Sequence, residues 1–186
     1  MATADALKDQ GIKQFQQRDY EQAAETFRAA HSAYQAAGQD AMAAEMQVNL
    51  GLALHSLDAS DEALAEMSAA RDFFQAQGDS HRLAQVLGNM GRVYAGLGNT
   101  EQALTNYREA SALFIDAGDE ENYGQTVLAI ADLQLRSGHP TQAAATYEVG
   151  LDYVKNPSAR QKLMRNLIGL RNRMTGQGAP TADKDS

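Results

Sequence analysis

Four histidines, His31, His55, His81 and His139, are the side chains best suited to ligate a metal or to move a proton. Two imidazoles share a helix face only when they stand three or four residues apart. None of the four is so spaced, and no HExxH occurs. There is no cysteine, which removes thiolate sites and disulfides alike. Gly88, Gly91 and Gly96-Leu97-Gly98 superficially suggest a phosphate loop. Such a loop must leave a strand and open a helix. Here the glycines fall inside, and at the end of, a helical pattern. No Ser/His/Asp grouping or paired carboxylate stands apart from the acids of a solvated helix surface. The expectation is no catalytic residue, no metal, no cofactor and no enzyme. Asn49 and Asn89 are more informative, because they recur forty residues apart. An amide both donates and accepts, so it can hold the backbone of an extended ligand. It can equally bond a neighbouring helix, and the spacing leaves both readings open.

The stretch from Gly88 to Ala110 explains that spacing. It reads as two helices joined by a turn at Gly98-Asn99. Ala103, Tyr107 and Ala110 are three and four apart and form one stripe. Shifting Ala103 by forty gives Ala23, Ala63 and Ala143; Tyr107 gives Phe27, Met67 and Tyr147. Gly91 gives Gly11, Gly51 and Ala131, and Met90 gives Leu50, Ile130 and Leu170. Small stays small and large stays large. Helix backbones approach closely where residues are small, and a large neighbour fills the gap. Gly91 is therefore expected against Ala103, with Tyr107 beside them. A fixed period in this range marks a repeat architecture.

Met90-Gly91, Tyr94, Ala103, Tyr107 and Ala110 together resemble the tetratricopeptide repeat. The forty-residue length is similar to the repeats of Pins-type spindle-orientation scaffolds, kinesin light chains and bacterial peptide-sensing regulators. The resemblance covers about Leu7 to Met174. It implies an all-α, right-handed α-solenoid of helix-turn-helix repeats with a C-terminal capping helix. The repeats are expected at about 4–38, 39–78, 79–118 and 119–156, the cap at 157–174 and a disordered tail at 175–186.

Local signals agree with helices throughout. Thr3 is a fitting N-cap; Asp19 with Gln22, and Asn99 with Gln102, have capping-box spacing. Ser60 is expected to cap one residue late, and Pro140 suits a first helical position. Gly38, Gly78 and Gly118 end the long second helices. The formal net charge of −8 argues against general nucleic-acid binding. No apolar run is long enough for a membrane span, and MATADALKDQG lacks a signal-peptide layout. A cytoplasmic protein is the expectation.

The family resemblance implies a concave face, lined by first helices, that binds protein or peptide segments. By register its candidates are Lys8, Ile12, Asn49, Leu52, His55, Gln85, Asn89, Arg92, Asp132 and Arg136, with Val48 beside them. Family members that grip a chaperone's C-terminal carboxylate use a five-residue clamp. Lys8 and Asn49 match it, whereas Ile12, Gln85 and Asn89 do not, so that ligand is not expected.

The last helix carries Arg160, Lys162, Arg165, Arg171 and Arg173 and no acid. Without these five charges the remaining chain has a net charge of −13. Leu163, Leu167, Leu170 and Met174 share one of its faces, in register with a fifth first helix. Beyond capping, it suggests homo-oligomerisation through Met164, Arg165, Ile168 and Arg171, or an anionic partner. The expected function is a non-catalytic scaffold or adaptor. A self-assembling repeat protein and a ligand-sensing regulatory module are the alternatives.

Overall fold

A computed structural model describes residues 3–175, and among them all regular structure is α-helical. The helices are α1 (Ala4–Gln16), α2 (Tyr20–Ala36), α3 (Asp40–Ser56), α4 (Ser60–Gln77) and α5 (Ser80–Gly96). They continue with α6 (Thr100–Asp116), α7 (Glu120–Arg136), α8 (Pro140–Tyr153) and α9 (Ala159–Thr175). The chain forms two compact units, Met1–Asp119 and Glu120–Ser186. In the first, each helix of α1 to α6 packs on the next in sequence as far as α5 on α6, and α3 also meets α5. In the second, α7 packs on α8 and α8 on α9. The tail expected at 175–186 lies, from 176 on, outside the described residues.

The recurring alanines are the inner contacts of the helix pairs. Ala23, Ala63 and Ala103 are wholly buried and Ala143 is 2% exposed. The ring of Tyr107 packs directly on Gly91. A Cβ on Gly91 would stand 2.7 Å from Tyr107 Cδ1. One on Gly11 would stand 2.7 Å from Phe27 Cε1, and one on Gly51 2.8 Å from Met67 Cγ. At Gly51 the partner alanine is also in contact, where the Ala63 carbonyl would lie 2.9 Å away. The glycine accommodates the large residue of the stripe and the alanine lines the pocket beside it. In the second unit Ala131 replaces the glycine. The tightest approach there is Gly124 to α8, where a Cβ would come within 3.0 Å of the Gly150 carbonyl.

The turns repeat every twenty residues, twice as often as the helix pairs. Arg18, Gly38, Asp58, Gly78, Gly98, Gly118 and Gly138 all adopt positive φ, between 61° and 81°. At each, the following N–H reaches the carbonyl five residues back, as in Asp19 to Gln14 at 3.0 Å and Asn99 to Tyr94 at 2.9 Å. This is the Schellman closure of a helix C-terminus. It leaves the next N-cap in an unusual backbone conformation, φ −84° and ψ 66° at Asp19 and φ −79° and ψ 71° at Asn99. Neither side chain makes the expected capping bond. Thr3, with an extended ψ of 159°, does cap, accepting from Ala6 N. Ser60 does not cap either: Ala59 holds the N-cap position, and the Ser60 hydroxyl bonds His55. Pro140 sits in the first turn of α8 as expected.

The last helix departs from the register. Ser158 and Gln161 cap α9 reciprocally: Gln161 N donates to Ser158 Oγ at 3.3 Å, and Ser158 N to Gln161 Oε1 at 2.7 Å. The earlier N-caps Gln39 and Asp79 are forty apart, so Ser158 comes one residue early. The face turned to α8 is Met164 and Ile168, and Ile168 is 5% exposed. Leu163, Leu167, Leu170 and Met174 are 57%, 50%, 49% and 79% exposed, against the expectation that Leu170 continues the buried Met90 position.

Two substitutions test this packing. Ala103→Leu is expected to overpack the α5–α6 pair and lower stability by about 1–3 kcal/mol in chemical denaturation; an unchanged midpoint would mean the stripe is misplaced. Arg18→Gly, which relieves a left-handed arginine, is expected to raise stability by about 0.5–1 kcal/mol, and a loss on the same assay would contradict the turn geometry.

Candidate functional site

The first helices of the first unit turn a polar row outward between their buried positions. On α3 the row is Glu45, Asn49 and Leu52; on α5 it is Arg82, Gln85, Asn89 and Arg92. Each step is three or four residues, so each row keeps to one face. Two hollows form along these rows. The first, about 150 Å³, is lined by Ile12, Phe15 and Gln16 of α1, Phe27 of α2, and Asn49 and Leu52 of α3. The second, about 240 Å³, is lined by Glu45, Val48, Asn49, Arg82, Gln85, Val86 and Asn89, with Phe74 of α4. Asn49 belongs to both, and its amide has no hydrogen-bond partner among the described residues. Asn89 Oδ1 accepts from Arg92 Nη2 at 3.0 Å, so that amide still has its donors to offer.

Arg82 organises the second hollow. Its Nε lies 2.7 Å from Glu45 Oε1, which joins α5 to α3. Its Nη1 lies 2.9 Å from Asp79 Oδ2, and its guanidinium carbon 5.8 Å from the Phe74 ring centroid. Asp79 Oδ1 also caps α5 by accepting from Arg82 N at 3.0 Å. That backbone N–H, then the guanidinium, hold the Asp79 carboxyl below its ordinary value against the opposing effect of burial. Sequence reasoning took Gln85, Asn89 and Arg92 and stopped short of Arg82. The same three-residue step backward from Gln85 reaches it, and from Asn49 a four-residue step reaches Glu45.

The other candidates are placed differently. Lys8 lies outside both hollows, 3.6 Å from Asp5 Oδ1. Asp5 in turn accepts from Tyr34 Oη at 2.6 Å, a bond that lowers its carboxyl from the ordinary value. His55 ends the α3 row. Its Nδ1 is 2.9 Å from Ser60 Oγ, and its ring packs on Gly96, where a Cβ would stand 3.0 Å from His55 Cε1. Burial, then the nearby Arg92 charge, push the imidazole toward its neutral form. Asp132 and Arg136 belong to the second unit. Asp132 accepts from the Tyr147 hydroxyl and from Arg160 Nη2 at 2.7 Å. Burial first, and then this carboxylate, push the Tyr147 phenol up to about 12. Among the described residues, no three His, Asp or Glu side chains gather to hold a metal ion.

On α9 the expected self-association residues are engaged within their own unit. Ile168 and Met164 pack against the core of α7 and α8, Arg165 Nη2 donates to the Leu151 carbonyl at 2.6 Å, and Arg171 lies 3.9 Å from Glu148. Met164 and Ile168 are therefore unavailable as an apolar patch for a second copy. The gap of about 330 Å³ between α8 and α9 is the seam of this packing.

Residues 42–116, which span α3 to α6 and the hollow between α3 and α5, match the tetratricopeptide repeat family model. That stretch belongs to the tetratricopeptide repeat family. Such repeats generally mediate protein–protein interaction. Among solved structures, BtubC (BKLC) from P. vanneervenii is similar over 98% of this chain and 68% of its own, with a TM-score of 0.70 at 17% identity. At that identity the likeness concerns the fold, an all-α solenoid of repeats. No curated protein matches the sequence. Among the described residues no helix is long and apolar enough to cross a membrane.

Asp79 gives the site a pH signature. Its folded-state carboxyl holds protons more weakly than the unfolded one, whose value is near 3.8. Its contribution is therefore complete above about pH 4 and fades as pH falls through the depressed folded value. Asp79→Ala is expected to cost about 1 kcal/mol at neutral pH. Denaturation at descending pH should show the gap to wild type closing below about pH 4; a gap that widens would contradict the assignment.

Proposed function

We propose that this protein is a non-catalytic scaffold or adaptor that binds a peptide or protein segment across the first helices of its first unit. The observation that carries the reading is the Asn49 amide, which is shared by two adjoining hollows and has no partner among the described residues. Unpaired amides at a concave surface suit the alternating N–H and C=O groups of an extended chain. The hollow of Ile12, Phe15, Phe27 and Leu52 is predominantly apolar and takes an aliphatic or aromatic side chain of that segment. The hollow of Glu45, Arg82, Gln85 and Asn89 faces the next part of the segment with both signs of charge and two amides. It takes a polar side chain. Asn89 stands one repeat from Asn49, so the two amides can engage one ligand backbone at successive points.

A peptide-display library panned against the whole protein tests this. The enriched peptides are expected to carry an apolar anchor followed by polar residues. Asn49→Ala and Ile12→Glu are each expected to weaken the selected peptides by about tenfold or more. Both positions are accessible in the fold, so thermal stability should be unchanged. Peptides held equally well by both variants would remove the groove from the function.

A further inference from the structure

We propose that the leucine face of α9 docks an amphipathic helix with acidic flanks, supplied by a partner protein. Because Ser158 caps one residue early, Leu163 stands at the position of Gly124, Ala84 and Ala44 in the earlier first helices. Leu167 stands at that of Leu128, Gly88 and Val48, and Leu170 at that of Ala131, Gly91 and Gly51. In the complete pairs most of these positions press on the second helix of the same repeat, while a Cβ on Gly88 would meet nothing within 4 Å. A Cβ on Gly124 would meet Tyr153 Cβ at 2.9 Å, one on Gly150 would meet Leu128 Cδ2 at 2.9 Å, and Gly91 receives the Tyr107 ring. On α9 the same positions are exposed by about half, and no second helix covers them among the described residues. The face is an open apolar stripe at helical spacing.

Its chemistry differs from the earlier pairs in two ways. Leucines replace residues that are mostly small, so the docking helix rides at ordinary side-chain distance, about 8–10 Å between axes, and not backbone to backbone. The helix also carries five cations and no acid. Arg160 and Arg171 reach Asp132 and Glu148 of their own unit. Lys162 and Arg173 have no carboxylate partner among the described residues. At 100° per residue these two flank the leucine stripe on the side away from Met164 and Ile168. A second α9 brought against this face would set cation against cation. Residues 176–186, GQGAPTADKDS, hold no leucine, isoleucine, valine, methionine or aromatic residue to form an apolar stripe. An acidic amphipathic helix satisfies both the leucines and the two unpaired cations.

The test uses a fluorescent helical peptide with a leucine stripe flanked by glutamates, and a twin with lysines in their place, titrated against the whole protein. The acidic peptide is expected to bind and the basic twin to fail. Leu167→Asp with Leu170→Asp should weaken binding by about tenfold or more at unchanged helicity. Lys162→Glu with Arg173→Glu should weaken it and abolish its salt dependence. Asn49→Ala should leave it unchanged, which separates this surface from the groove. No binding, equal binding of the twin, or indifference to the leucine substitutions would overturn the proposal. So would capture by phosphatidylglycerol vesicles, or dimerisation through Leu167 and Leu170, in place of peptide binding.

Discussion

A glycine that receives the large side chain of a neighbouring helix fixes the helix pairs of the first unit. At Gly11, Gly51 and Gly91 the side chains of Phe27, Met67 and Tyr107 stand where a Cβ would have to be. Even an alanine there displaces the partner helix, since the contacts fall below 3.0 Å. The large residue cannot turn elsewhere, because Ala23, Ala63 and Ala103 on its own helix are sealed against the pair. Protein interiors tolerate little free volume and little overlap. A glycine, a large residue and an alanine thus set both the separation and the axial offset of two helices. Where the glycine is lost the pair changes. In α7 the position is Ala131, the close approach moves to Gly124 and Gly150, and the Tyr147 hydroxyl donates to Asp132, next in sequence to Ala131.

This constraint also places the groove. Helices held at a forty-residue repeat present the same outward row on successive first helices. Whatever stands on those rows is displayed at a fixed interval. Asn49 and Asn89 are such a display, and Arg82 makes it rigid. The guanidinium is held by Glu45 of α3 and Asp79 of its own helix, and rests on Phe74 of α4. Each of these ties alone is modest at a partly exposed site. Their convergence on one planar group restricts the rim of the hollow while leaving the Asn49 amide unengaged and the Asn89 donors open. That is the arrangement a preformed ligand surface needs, since less ordering remains to be done on binding.

The pair geometry was legible in the sequence because its determinants are residue sizes at fixed spacing. Ala103, Tyr107 and Gly91 declare themselves by recurring. Positions where residue type varies while backbone conformation persists were not legible. Arg18 and Asp58 occupy the left-handed turn that glycine fills at the five other turns. They can do so because the Schellman bonds, and not the residue, enforce the turn. Asp19 and Asn99 look like N-caps and do not act as such, whereas Asp79, after the same turn, does. Arg82 was missed because its partners come from three different helices, and only the folded chain brings them together.

The last helix shows how little is needed to redirect a surface. One residue advances a helix by 100°. By capping at Ser158 where a fifth repeat would cap at position 159, the chain rotates the whole apolar pattern of α9 by that amount. Read at forty-residue spacing, Leu170 falls on the buried Met90 position; read at thirty-nine, it falls on Ala131, at the junction with a second helix. Leu170 is half exposed, which the first register does not account for, and Ile168 is buried against α8, although the second register would place it with the half-buried Asn49, Asn89 and Ala129. The Ser158–Gln161 reciprocal bonds fix where helical geometry begins. Sequence periodicity carries no information about that starting point once the linker changes from glycine-acid to Asn156-Pro157-Ser158.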